Sequence, residues 1–181
     1  GGFKDDVIKS YDLEAYNCFL QVFSYLPLAA LINQQVFCVH GGIGPAFNDI
    51  NQIRQIKRPL NNYIDNDVLI SLLWSDPEET IQEFIESYRG TGYIFGVDAF
   101  HRFIQKNGIK LFVRGHECID QGFQFLFGER LITVFSASKY GGCAHNSAGI
   151  IQLTDGLNPV AIELEPMEYI TRDLVTFYDL T

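Results

Sequence analysis

The chain has 181 residues, 47% of them hydrophobic and 14% aromatic, with a formal net charge of −9. That is one domain's worth of length with enough apolar material for a packed core, so a disordered chain is excluded. No run of about 18 apolar residues occurs, so no membrane-spanning helix is expected, and the absence of any Lys/Arg cluster argues against a nucleic-acid partner.

The N-terminal stretch "GGFKDDVIKS" has neither an initiator Met nor the layout of a signal peptide, and the sole Met is Met167. A chain of this kind is expected to be processed, engineered or partial. Next, "YDLEAYNCFLQVFSYLP" places Leu13, Tyr16, Phe19, Leu20, Phe23 and Leu26 at helical spacing and stops at Pro27. "LAALINQQVFCVH" gives two short apolar runs around Asn33-Gln34-Gln35, a hairpin whose second strand is Val36 to Val39. "NDINQIRQIKRP" reads as a short amphipathic helix closed by Pro59. "VLISLLWSDP" is an apolar run that ends at Asp76-Pro77, which makes Asp76 a strand-end carboxylate. In "YRGTGYIFG", two glycine turns flank aromatic residues. "VDAFHRFIQKNG" is an amphipathic helix with Ala99, Phe100, Phe103 and Ile104 inward and Asn107-Gly108 as its stop. "IKLFVRGH", "GFQFLFGERLITVFSA", "SAGIIQLTDG" and "PVAIELEP" read as strands joined by short turns, so the expected fold is a single α/β unit.

The four cysteines (18, 38, 118 and 143) form no CxxC pair, and three lie in apolar segments, the pattern of reduced core thiols in a cytoplasmic or nuclear protein.

Two segments share one arrangement. "VFCVHGG" and "LFVRGHE" are apolar strands that each deliver a histidine, His40 or His116, beside glycine at the C-terminal end. Strand ends are where α/β proteins place ligands, glycine lets the backbone approach an ion or phosphate, and neutral imidazole is the commonest metal ligand. One such histidine is more simply read as the polar end of a strand; two in the same setting favour a shared metal. Arg89, in a glycine turn, and Arg114, two residues before His116, have the planar fork that suits phosphate oxygens, with an ordinary surface ion pair as the alternative for each. Tyr140, in "VFSASKYGG", is placed to lay a phenol over a pocket. Asp76 reads equally as a turn residue before Pro77. His101 reads as a surface residue.

Taken in order, "LPLAALINQQVFCVHGGIGP", "IRQIKRP", "LLWSDP", "RGTGYIFG", "FVRGHE" and "LITVFSASKYGG…NSAG" resemble the phosphoprotein phosphatase family, which includes calcineurin and the type-1 and type-2A enzymes. The resemblance runs from Gly2 to about Pro166 and covers the second half of that catalytic domain. It implies the calcineurin-like metallophosphatase fold, a β-sandwich of mixed sheets flanked by helices and truncated at its N-terminal side, with residues 1–181 the C-terminal part of one catalytic domain. It also implies hydrolysis of phosphoserine and phosphothreonine by water activated between two metal ions (Mn, Fe or Zn), phosphoprotein substrates, and regulatory subunits as partners. Carried over by motif, His40 and His116 become ligands of one metal, Arg89 a phosphate-binding arginine, Tyr140 the tyrosine of the substrate loop, Asp76 a supporting acid, and Arg114 a supporting or phosphate-facing residue.

Departures matter as much. The family's GDxHG, GDxVDRG and GNHE motifs, which supply the remaining ligands and a general-acid histidine, have no counterpart here, so the metals are incompletely liganded by this chain. The expectation is a piece that begins just after GNHE and is inactive alone. Ile43-Gly44 replaces Leu-Ser, Gly115 replaces the Ala of RAH, Ser138-Lys139 alters SAPNY, and Gly141 stands where some relatives carry a toxin-reactive Cys. Two alternatives remain: a non-catalytic binding module, and a phosphoesterase for small molecules.

Overall fold

The computed structural model describes residues 2–60, 62, 64–142 and 144–167; Cys143 lies outside them. Two compact units are present. Of the described residues, one unit comprises those up to Glu117 together with Phe125–Thr133, the other Cys118–Gln124 together with those of 134–167.

The first unit opens with helices α1 (Phe3–Ser10) and α2 (Leu13–Phe23). Asp12 caps α2, its side chain accepting the Ala15 N–H at 2.7 Å. Strands β1 (Ala29–Ile32) and β2 (Val36–Val39) then pair antiparallel, with Ile32 opposite Val36. The hairpin lies where Asn33-Gln34 suggests: both residues take the left-handed conformation, φ 47° and 59°, and Gln35 N–H donates to Ile32 O. The following amphipathic segment is shorter than its spacing predicts, a 3-10 helix over Ile50–Gln55 that ends before Pro59. Asp49 and Gln52 cap its first turn reciprocally, and the Ile50 N–H is taken by the Asn107 side chain.

The apolar run before Asp76 is a helix, α3 (Asp67–Trp74), and this corrects the reading of Asp76 as a strand-end residue. Asn66 accepts the N–H groups of Val68 and Leu69, which starts the helix, and Asp76 opens the two-residue strand β3 (Asp76–Pro77). Strands β4 (Phe84–Glu86) and β5 (Tyr93–Phe95) complete a three-stranded sheet of order β3-β5-β4. Helix α4 (Val97–Asn107) ends at a left-handed Gly108 and buries Ala99, Phe100, Phe103 and Ile104, as its spacing predicts. Then come β6 (Leu111–Arg114), β7 (Phe123–Leu126) and β8 (Leu131–Val134), giving a five-stranded sheet of order β1-β2-β6-β8-β7 in which β2, β6 and β8 run parallel.

Central parallel strands are buried on both faces, and β2 and β6 are accordingly almost continuous in apolar residues. Their Phe37 and Phe112 meet edge to face at 5.3 Å and join Phe47, Phe95, Phe100, Phe103 and Phe127 in an aromatic core. The second unit is built on the hairpin of β9 (Ala148–Leu153) and β10 (Pro159–Leu164), paired antiparallel from Ala148–Leu164 to Leu153–Pro159.

The three described cysteines are not core thiols. Cys18 and Cys118 are exposed and Cys38 is only half-buried. An apolar neighbourhood in sequence does not decide which face of an element a residue takes: Cys18 sits on α2, a helix with no buried residue.

Candidate functional site

Parallel pairing of β2 with β6 sets Val39 opposite Arg114, so the residues just beyond each strand arrive together. Gly115 N–H donates to His40 O at 3.0 Å, and the two imidazoles follow, with His40 Nε2 3.0 Å from His116 Nδ1. His116 has φ 72°, a conformation that costs a non-glycine residue about 1 kcal/mol or more and persists only where its surroundings hold it. Trp74 packs edge-on against the His116 ring, centroids 5.6 Å apart. The glycine after His40 has a different use from the one its position suggests. A Cβ on Gly41 would lie 2.7 Å from the backbone of Leu73 and Trp74, so the glycine lets the loop dock on the last turn of α3, where Gly41 N–H donates to Leu72 O.

Desolvation lowers the His40 pKa, with Arg114 adding to the effect and Asp76 opposing it. His116 is pushed down to about 4, again chiefly by desolvation and against Asp76. Both rings are therefore neutral at neutral pH, the form that donates a lone pair to a metal. The 3.0 Å contact is a hydrogen bond between the two rings, and it also sets two imidazole nitrogens close enough together to bond one ion. The pair fits one edge of a coordination shell. No group of three or more His, Cys, Asp or Glu residues placed for a metal occurs among the described residues, so this chain shows one edge and no more of such a shell. His116 Nε2 is buried without a hydrogen-bond partner among the described residues.

Beside the imidazoles lies a cluster of four alternating charges. Arg114, at the end of β6, is buried with 1% exposure, and its donors reach three segments: Nε to Gly41 O at 2.8 Å, Nη2 to Ser75 O at 3.1 Å and Asp76 Oδ1 at 2.8 Å, and Nη1 to Glu117 Oε2 at 2.5 Å. Asp76, itself buried, offers its second oxygen to Arg89 Nε at 2.6 Å. Burial lowers the Arg114 pKa, opposed by Glu117 and Asp76; burial also raises that of Glu117, opposed by Arg114. The Arg89 guanidinium is held above its usual value by the Asp76 hydrogen bond. Among the described residues its two terminal nitrogens hold no hydrogen bond, and its side chain is 30% exposed. The backbone of the loop carrying it is anchored on either side of Gly90, which leaves the side chain to be placed by Asp76. Ser87 Oγ accepts the Arg89 N–H, and at Gly92, φ 78°, a side chain would collide with Trp74.

The structure thus gathers His40, His116, Asp76, Arg89 and Arg114 in the first unit, with Arg114 buried and its donors turned to Gly41, Ser75, Asp76 and Glu117. Tyr140 belongs to the second unit. It is 56% exposed, packs edge-on against Phe135 with centroids 5.0 Å apart, and donates its N–H to Asn146 Oδ1. Buried Asn146 also donates to Ala137 O and Ser147 O and so organises the whole loop. Sequence reasoning passed over Asn146, Trp74 and Glu117. Each stands one or two residues from a residue it singled out or inside a motif it quoted, but nothing local shows a side chain turning inward. His101 is exposed, as expected, and lies outside the cluster.

The sequence model of the calcineurin-like phosphoesterase family matches residues 3–120. Among solved structures, the chain is similar to a protein serine/threonine phosphatase from Saccharomyces cerevisiae described as similar to human phosphatase PP5. The two are 31% identical with a TM-score of 0.84 over 94% of this chain and 56% of that one. The chain therefore spans little more than half the length of the structure it matches.

Proposed function

This chain belongs to the calcineurin-like phosphoesterase family, and on that footing we propose that it is part of a protein serine/threonine phosphatase, the C-terminal portion of one catalytic domain. The observation that carries the reading is the 3.0 Å pair of neutral imidazoles set beside an arginine held on one side only. His40 Nε2 and His116 Nδ1 are the two ligands this chain gives to one of two metal ions, with Mn, Fe and Zn as the candidates. A bound ion supplies Lewis acidity, acidifying water and neutralising charge on phosphoryl oxygens.

The chain's own residues do the rest. Arg89, anchored through Nε, presents its terminal N–H groups to two oxygens of a phosphoserine or phosphothreonine. Asp76 keeps that guanidinium in place, and Arg114 holds the backbones of Gly41 and Ser75 so that both histidines and Asp76 share one frame. Trp74 covers one side of the His116 ring and excludes water there. Tyr140 serves the substrate loop. Phosphoproteins are the substrates, and regulatory subunits the partners.

Full-length protein containing this chain is the material for the test. With manganese it hydrolyses a phosphothreonine peptide and leaves dinucleoside polyphosphates intact, and His40→Ala or His116→Ala lowers both metal content by mass spectrometry and turnover. Preference for the dinucleotide reverses the substrate assignment. The 181-residue chain by itself turns over little or no phosphopeptide; a rate near that of the full-length protein overturns the incomplete-shell reading. The second reading is a module that binds partners without turnover. Full-length protein that holds no metal decides for it.

A further inference from the structure

Two arginines compete for one buried carboxylate in this site. Asp76 gives Oδ1 to Arg114 and Oδ2 to Arg89, so each guanidinium has a claim on the same anion. The claims are unequal, because the Arg114 side chain is fully shielded from solvent while that of Arg89 is 30% exposed. A cation in low dielectric is attracted more strongly to a neighbouring anion than one that water can screen. Left to itself, Arg114 would draw Asp76 inward. It is not left to itself: its Nη1 is paired with Glu117, whose backbone N–H donates to Gly115 O in the turn that carries His116. Glu117 makes the four-charge cluster neutral and gives Arg114 a carboxylate of its own.

We infer that Glu117 is a positioning residue for phosphate binding: by pairing with buried Arg114 it leaves Asp76 free to hold Arg89. The inference rests on the reading of Arg89 as the phosphate-binding arginine. Glu117 itself acts three side chains away, through Arg114, Asp76 and Arg89 in turn. With glutamine in place of Glu117, Asp76 is the sole anion for two guanidiniums, the buried one takes it, and the Arg89 side chain swings into solvent while its loop stays in place.

The test uses the full-length, manganese-loaded protein and inorganic phosphate as the probe, with affinity read by calorimetry. Glu117→Gln is expected to weaken phosphate binding about tenfold, the loss of one charge-assisted contact at Arg89. Metal content stays unchanged. In an Arg89→Ala background the same substitution produces no further loss, and Glu117→Asp, which keeps the charge, retains affinity within about twofold of the parent. Glu117→Ala is carried alongside in case the amide variant does not fold. Equal losses with and without Arg89, no loss in the parent background, or a loss in Glu117→Asp as large as in Glu117→Gln each overturn the inference. If Arg89→Ala alone leaves phosphate affinity untouched, the phosphate-arginine reading has failed and this inference falls with it; if Arg89→Ala weakens binding and Glu117→Gln does not, only the role of Glu117 is lost.

Discussion

Helices α2 and α4 are both eleven residues long and both carry aromatic and aliphatic residues at intervals of three and four. Helix α4 buries Ala99, Phe100, Phe103 and Ile104 against the parallel strands, where Phe100 stacks on Phe127 at 4.6 Å. Helix α2 buries nothing. Its Phe19, Leu20 and Phe23 are more than 40% exposed; Phe19 and Phe23 pack on Phe3 of α1, the Phe3–Phe19 rings meeting edge to face at 5.2 Å. Strand β1, whose Leu31 and Ile32 are also exposed, forms one edge of the five-stranded sheet. Periodicity selects the face of a helix that leaves water; it does not supply the surface that face meets. A contiguous exposed apolar patch is the informative case, because scattered exposed apolar residues are common and carry no message.

The sharpest test of that contrast is the same truncation on both helices. Phe100→Ala removes a fully buried ring from the packed core and is expected to cost about 3–5 kcal/mol. Phe19→Ala removes a ring that is left 41% exposed outside the packed core and is expected to cost much less, about 1 kcal/mol. Urea midpoints measured on the two variants decide it, and equal shifts would show that α2 is packed in solution.

Because α2 gains so little from burial, its end should matter more to it than packing does. Asp12→Ala removes the cap at Ala15 and is expected to cost about 1 kcal/mol, felt locally. Amide exchange should rise across residues 13–23 and stay unchanged in α4. Phe19→Ser combined with Leu20→Ser removes the Phe19 ring and a neighbouring apolar side chain, so it is expected to cost at least as much as Phe19→Ala, about 1 kcal/mol or slightly more. The same pair should reduce self-association in light scattering, and unaltered association would place the adhesive surface elsewhere.

How much of this was legible in the sequence depends on how local the determining physics is. The inward face of α4, the hairpin at Asn33-Gln34 and the arrival of His40 and His116 at strand ends all follow from spacing and turn chemistry within a dozen residues. The family motifs fixed the order of the site segments. Helix α3 escaped because "VLISLLW" is apolar on every side, and such a run has no period to separate helix from strand; the deciding feature, Asn66 capping two amides, lies just before it. Gly41 was read for the wrong neighbour, since the close approach is to α3, thirty residues on. Glu117 was invisible for a like reason: its partner Arg114 is known to be buried only once β2, β6 and α3 have been assembled around it.

The cysteines give the mildest test, and it separates two exposed thiols from a half-buried one. Burial pushes the Cys38 thiol pKa up. The thiolate is the reactive form, so at any pH below that value a smaller fraction of Cys38 is available to an alkylating reagent, and its position in β2 limits access further. Cys18, on the open face of α2, and Cys118 have no such shield. With iodoacetamide at neutral pH, peptide mapping should find Cys18 and Cys118 modified well ahead of Cys38, and raising the pH should narrow the gap. Fast labelling of Cys38 would mean that β2, the strand that delivers His40, opens readily. Slow labelling of Cys18 would mean that something covers α2 in solution, and the contrast between the two helices would then belong to the isolated chain alone.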